Sequence, residues 1–254
     1  MRLRAVAAYT IFYAGVLGLW ETVARSGPWP AHLFPGPLEV LAALVDGLRG
    51  GLFVRGALVS LYRIAFAFGV SVILGVGLGL LLGRVRLLDD TLGSLVRGLQ
   101  VLPSVCWLPL ALLWFGLDER AVIFVVAIGA LSQITLGVKA GVQDTPPDYL
   151  RVARNLGGSG LALYTQVIFP AAKPAVLAGL KQGWVVAWRS LMAAELLFHA
   201  LGLGSLLQAG RDLNDAARVM AVMLVIIALG VAVERLVFAP AERRLRERWG
   251  LADA

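Results

Sequence analysis

Six stretches of this 254-residue chain are apolar over about 20 residues each, the length that an α-helix needs to cross the hydrocarbon of a bilayer. The six stretches cover residues 5–24, 57–83, 92–116, 121–141, 174–198 and 219–239. Only 15% of the residues are charged, which is too few to give a soluble protein of this size a polar surface. Because the apolar runs are continuous rather than alternating, they indicate helices and not strands. The sequence therefore predicts an all-α integral membrane protein with about six transmembrane helices.

Lysine and arginine residues gather in the connections on one side of the predicted spans. That side collects Arg2, Arg4, Arg84, Arg86, Arg151, Arg154, Lys173, Arg243, Arg244, Arg246 and Arg248. The opposite side collects Arg49, Arg55, Arg120 and Arg211. Since cytoplasmic loops carry the excess of these cations, we expect a multi-pass membrane protein with both termini in the cytoplasm. The net charge of +7 follows from this asymmetry, and no basic cluster interleaved with aromatic residues indicates binding to nucleic acid.

Glycines mark the second predicted span. They stand at Gly69, Gly75, Gly77, Gly79 and Gly83. A glycine-rich run can form a nucleotide loop, but this one lies inside an apolar helix and follows no strand. Small residues at such spacings let helices approach closely in lipid, which is the function we expect for them.

Prolines mark the third predicted span, which contains the segment QVLPSVCWLPLALLWFG. We expect Pro103 and Pro109 to kink its helix. Kinked membrane helices often line a transport pathway, which makes Pro103 and the nearby Trp107 candidates for such a lining. Ordinary packing irregularity explains the prolines equally well.

A polar segment, RVARNLGGSGLALYTQVIFPAAKP at 151–174, interrupts the apolar pattern between spans four and five. Pro146 and Pro147 are expected to end the helix of span four, with Asp148 as the N-cap of a short helix that follows. One face of that short helix carries the apolar side chains of Tyr149, Val152, Ala153 and Leu156.

Glycines and prolines divide this segment further. Gly157 and Gly158 are expected to end the first short helix, and Ser159 to cap a second one. The second helix places on one face Leu161, Tyr164 and Ile168. Pro170 and Pro174 are expected to close it before span five. We call the two short helices and the glycines between them the elbow. Its apolar stripe must be covered either by the membrane surface or by a groove in another protein.

The elbow resembles the cytoplasmic signature of the permease subunits of binding-protein-dependent ABC importers. That signature reads Glu-Ala-Ala, three residues, Gly, nine residues and Ile-x-Leu-Pro. The same spacing is kept here by Arg151-Val152-Ala153, Gly157 and Val167-Ile168-Phe169-Pro170. The chain departs from the pattern at Arg151, Val152, Val167 and Phe169. Similarity to the branch that imports nitrate, alkanesulfonates and taurine extends over segments 33–48, 60–83, 107–117 and 179–197, whereas 129–138 departs from it.

The resemblance implies a protein of a bacterial inner membrane with the type I ABC importer permease fold, divided into three regions. Residues 1–56 would hold the N-terminal span and an extracytoplasmic amphipathic segment. Residues 57–247 would form the core transmembrane domain, including a coupling loop at 142–173. Residues 248–254 would form a cytoplasmic tail.

The resemblance also implies partners: a second copy of the permease in a homodimer, two ABC ATPase subunits and an extracytoplasmic solute-binding protein. ATP and Mg²⁺ would bind to the ATPases, because this chain has no GxxxxGK[ST] loop; it is expected to bind no cofactor and to be no enzyme itself. Contact with the ATPases is implied for Arg151, Val152, Ala153, Leu156, Gly157, Gly158, Leu161, Tyr164 and Pro170.

Span five carries charges within an apolar run. A charge near the bilayer centre costs about 2.5–3.5 kcal/mol on insertion scales, so Arg189 needs water or protein around it. Arg189 either faces an aqueous pathway that attracts an anion or pairs with a carboxylate for assembly. Glu195 lies about 240° further around the helix and cannot easily be that partner. Arg63 in span two is a candidate partner for Glu195, whose role we expect to be structural. The candidate pathway residues are Arg189, Trp188, Glu195, Arg63, Pro103 and Trp107.

Two other classes of function compete with this hypothesis. A secondary transporter or channel for small anions also needs intramembrane charges and broken helices, but such proteins usually contain inverted repeats, and the two halves of this chain are not similar. A membrane-embedded enzyme needs a nucleophile–base or metal-ligand set. Cys106 is the only cysteine and the two histidines lie far apart, so no metal site is expected.

Overall fold

The computed structural model describes residues 2–30, 32–198 and 200–248, and the side chains in these ranges except those of 2–7, 161 and 248. The helices in chain order are α1 (Arg2–Ser26), α2 (Pro37–Arg49), α3 (Leu52–Arg84), α4 (Arg86–Leu88), α5 (Ser94–Val101), α6 (Leu108–Phe115), α7 (Glu119–Gln143), α8 (Pro147–Asn155), α9 (Gly160–Leu163), α10 (Phe169–Leu197), α11 (Leu203–Asp212), α12 (Ala216–Val233) and α13 (Ala239–Arg248). Wider π turns continue the helix at Asp89–Gly93, Tyr164–Ile168 and Glu234–Phe238. The described part of the chain contains no strand, which confirms the all-α prediction.

The chain divides into two compact units. The first comprises Met1–Val59 and His199–Leu229, and the second comprises Ser60–Phe198 and Gly230–Ala254. The second unit contains all the candidate site residues.

Within the described part of the chain, three helices are long and apolar enough to cross a membrane: Leu52–Arg84, Glu119–Gln143 and Ala216–Glu247. They contain the predicted spans 57–83, 121–141 and 219–239. The predicted span 92–116 falls on two helices, Arg86–Val101 and Ser104–Phe115, which count as a fourth span if the pair is taken as one broken helix. The predicted spans 5–24 and 174–198 fall on α1 and α10, which do not reach the same apolarity over the described residues. In α10 the reason is its charged side chains, including Lys181 and Arg189.

The broken span bends by 100° at the break before Ser104. Leu102 and Pro103 have extended backbone there, which ends the helix as predicted for Pro103. The predicted kink at Pro109 is wrong. Pro109 lies in the first turn of α6, where the missing N–H has no helical acceptor to lose.

Glycines of α3 receive the branched side chains of α7. A Cβ on Gly75 would lie 2.8 Å from Ile134 Cγ2, and one on Gly79 would lie 2.6 Å from Val138 Cβ. The same relation repeats four residues on, where a Cβ on Gly83 would lie 2.7 Å from Val142 Cβ. The glycines of α3 and the branched residues of α7 each recur every four residues along their helix. The row of side chains on α7 therefore fits into the groove that the glycines leave on α3.

An adjacent face of α7 packs on α10 in the same manner. A Cβ on Gly137 would lie 2.5 Å from the Cα of Gly179, and one on Gly183 would lie 2.6 Å from Ile134 Cγ1. Ile134 is therefore held between a glycine of α3 and a glycine of α10, with no exposed surface. This arrangement makes α7 the central helix of the second unit.

The first unit has its own small core. α2 begins with Gly36 as the N-cap residue, whose N–H donates to Glu39 Oε2 at 3.1 Å. The ring of Phe53 is buried against Gly47. Gly56 of α3 lies against Leu206 of α11.

Because Val138 fills the space above Gly79, we expect Gly79→Val to lower the free energy of unfolding by about 1–3 kcal/mol through overpacking. Gly69→Val is the matched control on the same helix, since a Cβ on Gly69 would meet no described atom within 4 Å. Thermal unfolding of the two purified variants in detergent tests this. Equal midpoints for the two variants would show that the α3–α7 contact does not depend on Gly79.

Candidate functional site

The elbow between α7 and α10 begins with two prolines. Pro146 is the N-cap residue of α8, and Pro147 lies in its first turn. Asp148 therefore stands inside the first turn rather than at the N-cap, which corrects the sequence prediction. Its Oδ1 accepts a hydrogen bond from Arg151 Nη1 at 3.3 Å, and its charge lies at the positive end of the helix dipole.

α8 ends in a Schellman motif. The N–H of Gly158 donates to the carbonyl of Ala153 at 2.8 Å, and the N–H of Gly157 donates to the carbonyl of Arg154 at 3.0 Å. Gly157 has a φ of +84°, a left-handed conformation that glycine adopts without steric cost. The prediction that the two glycines end the first short helix is confirmed.

The predicted apolar stripe of α8 is divided between two faces. Ala153 packs with Leu150 on a buried cluster of Val142, Leu163 and Ile168. Three larger members of the stripe point outward and are 52%, 58% and 83% exposed: Tyr149, Val152 and Leu156. Ala153 thus attaches the elbow to the bundle, while the other three form an apolar surface available to a partner.

The second half of the elbow is not a separate helix. From Gly160 the backbone continues through α9 and the π turn Tyr164–Ile168 into α10, so Pro170 and Pro174 do not close a helix as predicted. The N–H of Phe169 donates five residues back to the carbonyl of Tyr164. This wider turn directly precedes Pro170, which has no N–H to donate, so the helix continues past the proline.

The aromatic ring of Tyr164 joins the elbow to the end of α3. The guanidinium carbon of Arg84 lies 4.9 Å from the ring centroid, a cation–π contact. Ile168, on the same predicted face, is buried. The side chain of Leu161, the third residue predicted for this face, lies outside the described part of the structure.

A cleft of about 270 Å³ opens at the bend between α5 and α6. Three of the candidate pathway residues line it together: Pro103, Trp107 and Arg189. Arg189 is exposed, and it makes no ion pair with any residue that the structure describes. Among the described residues of the lining, Arg189 alone is charged, so the cleft carries a positive potential.

Amide and hydroxyl groups complete the polar lining. Gln100 Nε2 donates to Gln133 Oε1 at 3.2 Å. Ser190 Oγ donates to the carbonyl of Val186 at 2.7 Å and lies 2.6 Å from Ser104 Oγ, which leaves Ser104 as the donor of that second bond. Ser132 also faces the cleft. An anion bound here would meet one guanidinium and those amide hydrogens of Gln100 and Gln133 that are not used in their mutual bond.

Sequence reasoning missed these amides and hydroxyls. Ser132 and Gln133 stand in GALSQITLGV, which was noted only as a departure from the family pattern. Gln100 and Ser104 lie close to Pro103 in the sequence. They come near Arg189 only because the span bends at Pro103, and the angle of that bend could not be predicted from the sequence. Polar residues beside a proline in an apolar span were the available signal.

Trp188 and Glu195, the other candidates on α10, do not line this cleft. Trp188 stacks on Trp184, with ring centroids 6.1 Å apart. Trp184 in turn meets Phe68 edge to face at 5.2 Å. The Trp188 ring therefore belongs to an aromatic contact between helices.

Glu195 lies in a buried charge cluster at the end of α7 that is opposite to the elbow. It is fully buried and accepts hydrogen bonds from Ser60 Oγ at 2.7 Å and Arg63 Nη1 at 2.9 Å. Arg63 is 2% exposed, and its Nη2 donates to Glu119 Oε1 at 2.8 Å. The pairing of Arg63 with Glu195 that the sequence suggested is confirmed, and it ties α3, α7 and α10 together.

Comparisons with known proteins agree with these features. The family described as "Binding-protein-dependent transport system inner membrane component" matches residues 71–247. The bicarbonate transport system permease protein CmpB of Synechococcus elongatus is 31% identical over 240 residues, which cover 88% of this chain and 85% of that protein. The nitrate import permease protein NrtB of Synechocystis sp. is 29% identical over 206 residues, covering 78% of this chain and 74% of that one.

The fold also has a counterpart among solved structures. A chain in the crystal structure of an amino acid ABC transporter with histidines aligns with a TM-score of 0.67, covering 79% of this chain and 97% of that one. The two sequences are 19% identical, so the likeness concerns the fold.

Because Glu195 is buried and Arg63 is its cationic partner, we expect Arg63→Met to lower the free energy of unfolding by about 3–5 kcal/mol. Glu119→Gln, at a carboxylate that is half exposed, should cost less than about 1 kcal/mol. Thermal unfolding in detergent compares the two, with Arg63→Met/Glu195→Met as a variant that removes both buried charges and should recover most of the loss. A double variant no more stable than Arg63→Met would contradict this account.

Proposed function

We infer the function from the family: this chain belongs to the inner-membrane components of binding-protein-dependent transport systems, which makes it the permease subunit of an ABC importer. It is therefore a multi-pass membrane protein that conducts a solute and not an enzyme. This membership also decides against the secondary transporter or channel that the sequence alone left open.

We propose that the solute is a small anion and that it passes the cleft at Arg189. The observation that carries this proposal is an intramembrane arginine without a carboxylate partner among the described residues, set in a cleft that two glutamine amides also line. A guanidinium in such a place is retained at a cost, and an anionic solute gives it a use. The relatives named for bicarbonate and nitrate transport support this class of solute. An alkanesulfonate or taurine carries the same kind of oxyanion group.

The elbow is the proposed contact with the ATPases. Tyr149, Val152 and Leu156 form an exposed apolar surface on a helix whose other face packs on the bundle through Leu150 and Ala153 and whose C-terminus is fixed by the glycine turn. Such a surface suits a groove in a protein partner better than the loose contact of a surface-lying loop. In the assembly that we propose, two copies of this chain bind two ATPase subunits, which bind ATP and Mg²⁺, and a solute-binding protein docks on the other face.

The same proposal sets the orientation in the membrane. The elbow and both termini face the cytoplasm, where the connections richest in arginine lie. The end of α7 that carries Glu119 and the Arg63 cluster then faces outward. Displacement of the elbow by the ATPases, on ATP binding, is the step that opens the solute route to one side or the other.

A change at the glycine turn tests the elbow. Val at Gly157 would force a β-branched residue into a left-handed conformation, at a cost of about 1 kcal/mol or more, and would tilt α8. We expect Gly157→Val to insert into the membrane normally, but to co-purify with less of its co-expressed ATPase and to support less ATP hydrolysis. Gly157→Asn is the matched control, because Asn tolerates this conformation. Wild-type transport by Gly157→Val would identify the elbow as an ordinary surface loop.

A change in the cleft tests the solute class. Arg189→Ala should assemble with the ATPase, but its uptake of nitrate or a sulfonate into proteoliposomes should fall by roughly tenfold or more, as expected for loss of one charged hydrogen-bonding partner. Arg189→Lys keeps the charge and should retain part of the uptake. Arg120→Ala, an exposed arginine outside the cleft, is the control. Unchanged anion uptake by Arg189→Ala would remove the basis for this solute class.

A further inference from the structure

Three side chains converge on one carboxylate near the elbow. Asp89, in the π turn before α5, accepts a hydrogen bond on Oδ1 from Lys139 Nζ and another from Arg97 Nη1 at 3.1 Å. Its Oδ2 accepts one from Gln143 Nε2 at 3.2 Å. Two cations and one amide thus surround a single negative charge.

This Asp89 cluster lies between the cleft and the elbow. Lys139 and Gln143 stand one turn apart at the end of α7, just before the elbow begins. Arg97 stands on α5 about one turn before Gln100, which lines the cleft. α5 therefore leads from the Arg189 cleft to the Asp89 cluster.

We propose that Lys139, Arg97 and Gln143 form a second anion site on the way from the Arg189 cleft to the elbow side, and that the Asp89 carboxylate occupies this site whenever the solute does not. The ligand is a small oxyanion of the same class as the proposed solute. The proposal deepens the proposed function and rests on it, because it follows the same anion one step further along its route.

The donors around Asp89 are those that an oxyanion requires. A carboxylate presents two oxygens to its donors, and nitrate, bicarbonate and sulfonate groups present similar oxygens at similar spacing. The cluster holds one cation more than its carboxylate neutralises, so an excess positive charge attracts a second anion. Arg97 is 47% exposed, so an anion reaches its guanidinium directly, whereas Lys139 is 12% exposed and becomes available when Asp89 moves aside.

Competition with Asp89 gives the site the affinity that transport needs. A pair of cations with no carboxylate nearby would hold an anion tightly and delay its release. Because the solute must displace Asp89 to bind, and Asp89 returns when it leaves, binding is weak and reversible. A site on a transport route must bind its solute favourably enough for the solute to enter, but weakly enough for the solute to leave.

Nitrate binding to the full-length chain, purified in detergent and dialysed to equilibrium in gluconate buffer, tests the second site. All variants carry Arg189→Ala, which silences the cleft. Asp89→Asn keeps the shape of the side chain and frees the cations, so we expect a nitrate dissociation constant at least tenfold lower than in the background. Asp90→Asn is the matched control, because it makes the same change of charge on the adjacent exposed carboxylate. Adding Lys139→Gln to Asp89→Asn should abolish the gain.

A second variant guards against loss of folding in Asp89→Asn. Gln143→Lys adds a cation at an exposed position and leaves the Asp89–Lys139 bond in place, so it should also gain nitrate binding, whereas Asn155→Lys on α8 should not. If neither Asp89→Asn nor Gln143→Lys binds nitrate better than its control, the second site does not exist. That result is independent of the proposed function, which is tested by the effect of Arg189→Ala alone on uptake.

Discussion

The close approach of α3, α7 and α10 around Ile134 is the constraint on which the rest of the structure depends. In lipid, no hydrophobic force drives one apolar helix onto another, so association depends on van der Waals contact between well-fitted surfaces. Glycines of α3 and α10 allow that fit on two faces of α7. The cleft also depends on a close approach at a glycine, because a Cβ on Gly129 would lie 2.7 Å from Ser190 Oγ and 3.0 Å from Ser104 Cβ. The glycine that allows this approach also brings the two hydroxyls together.

Arg63 and Arg189 both lie within apolar helices, but their surroundings are opposite. Arg63 is buried with a carboxylate on either side, so its charge is neutralised and its position is fixed. Arg189 is open to a cleft whose other polar groups are neutral. Both lie where a bare charge is costly, but of the two only Arg189 has no carboxylate partner among the described residues. The sequence placed both among the candidate pathway residues and also suggested the pairing of Arg63 with Glu195.

Features that depend on a few adjacent residues could be predicted from the sequence. The glycine turn at Gly157 is one such feature, because the end of a helix is determined by the few residues at that end. The break at Pro103 is another. The pairing of Arg63 with Glu195 was also within reach, because few partners exist for a carboxylate in an apolar span. The continuation of the helix through Pro170 was not, because a proline normally stops a helix and the π turn that accommodates it depends on the register of the preceding turns. The polar lining of the cleft was missed because it depends on how a bent span packs against α7 and α10.

The uninterrupted backbone from Gly160 to Leu197 has a mechanical meaning. A π turn also precedes Pro240, at Glu234–Phe238. At Pro170 and at Pro240 the helix therefore continues through a proline that would otherwise have interrupted it, and the helix from Gly160 acts as a rod. Gly160, the first residue of this rod, has a φ of +53°, a conformation that glycine adopts without steric cost. From Gly160 to Arg189 the rod is about 44 Å long at 1.5 Å per residue, so a tilt of about 5° at its foot carries the guanidinium about 4 Å sideways. A small angular movement beside the elbow would therefore become, at Arg189, a displacement longer than a hydrogen bond.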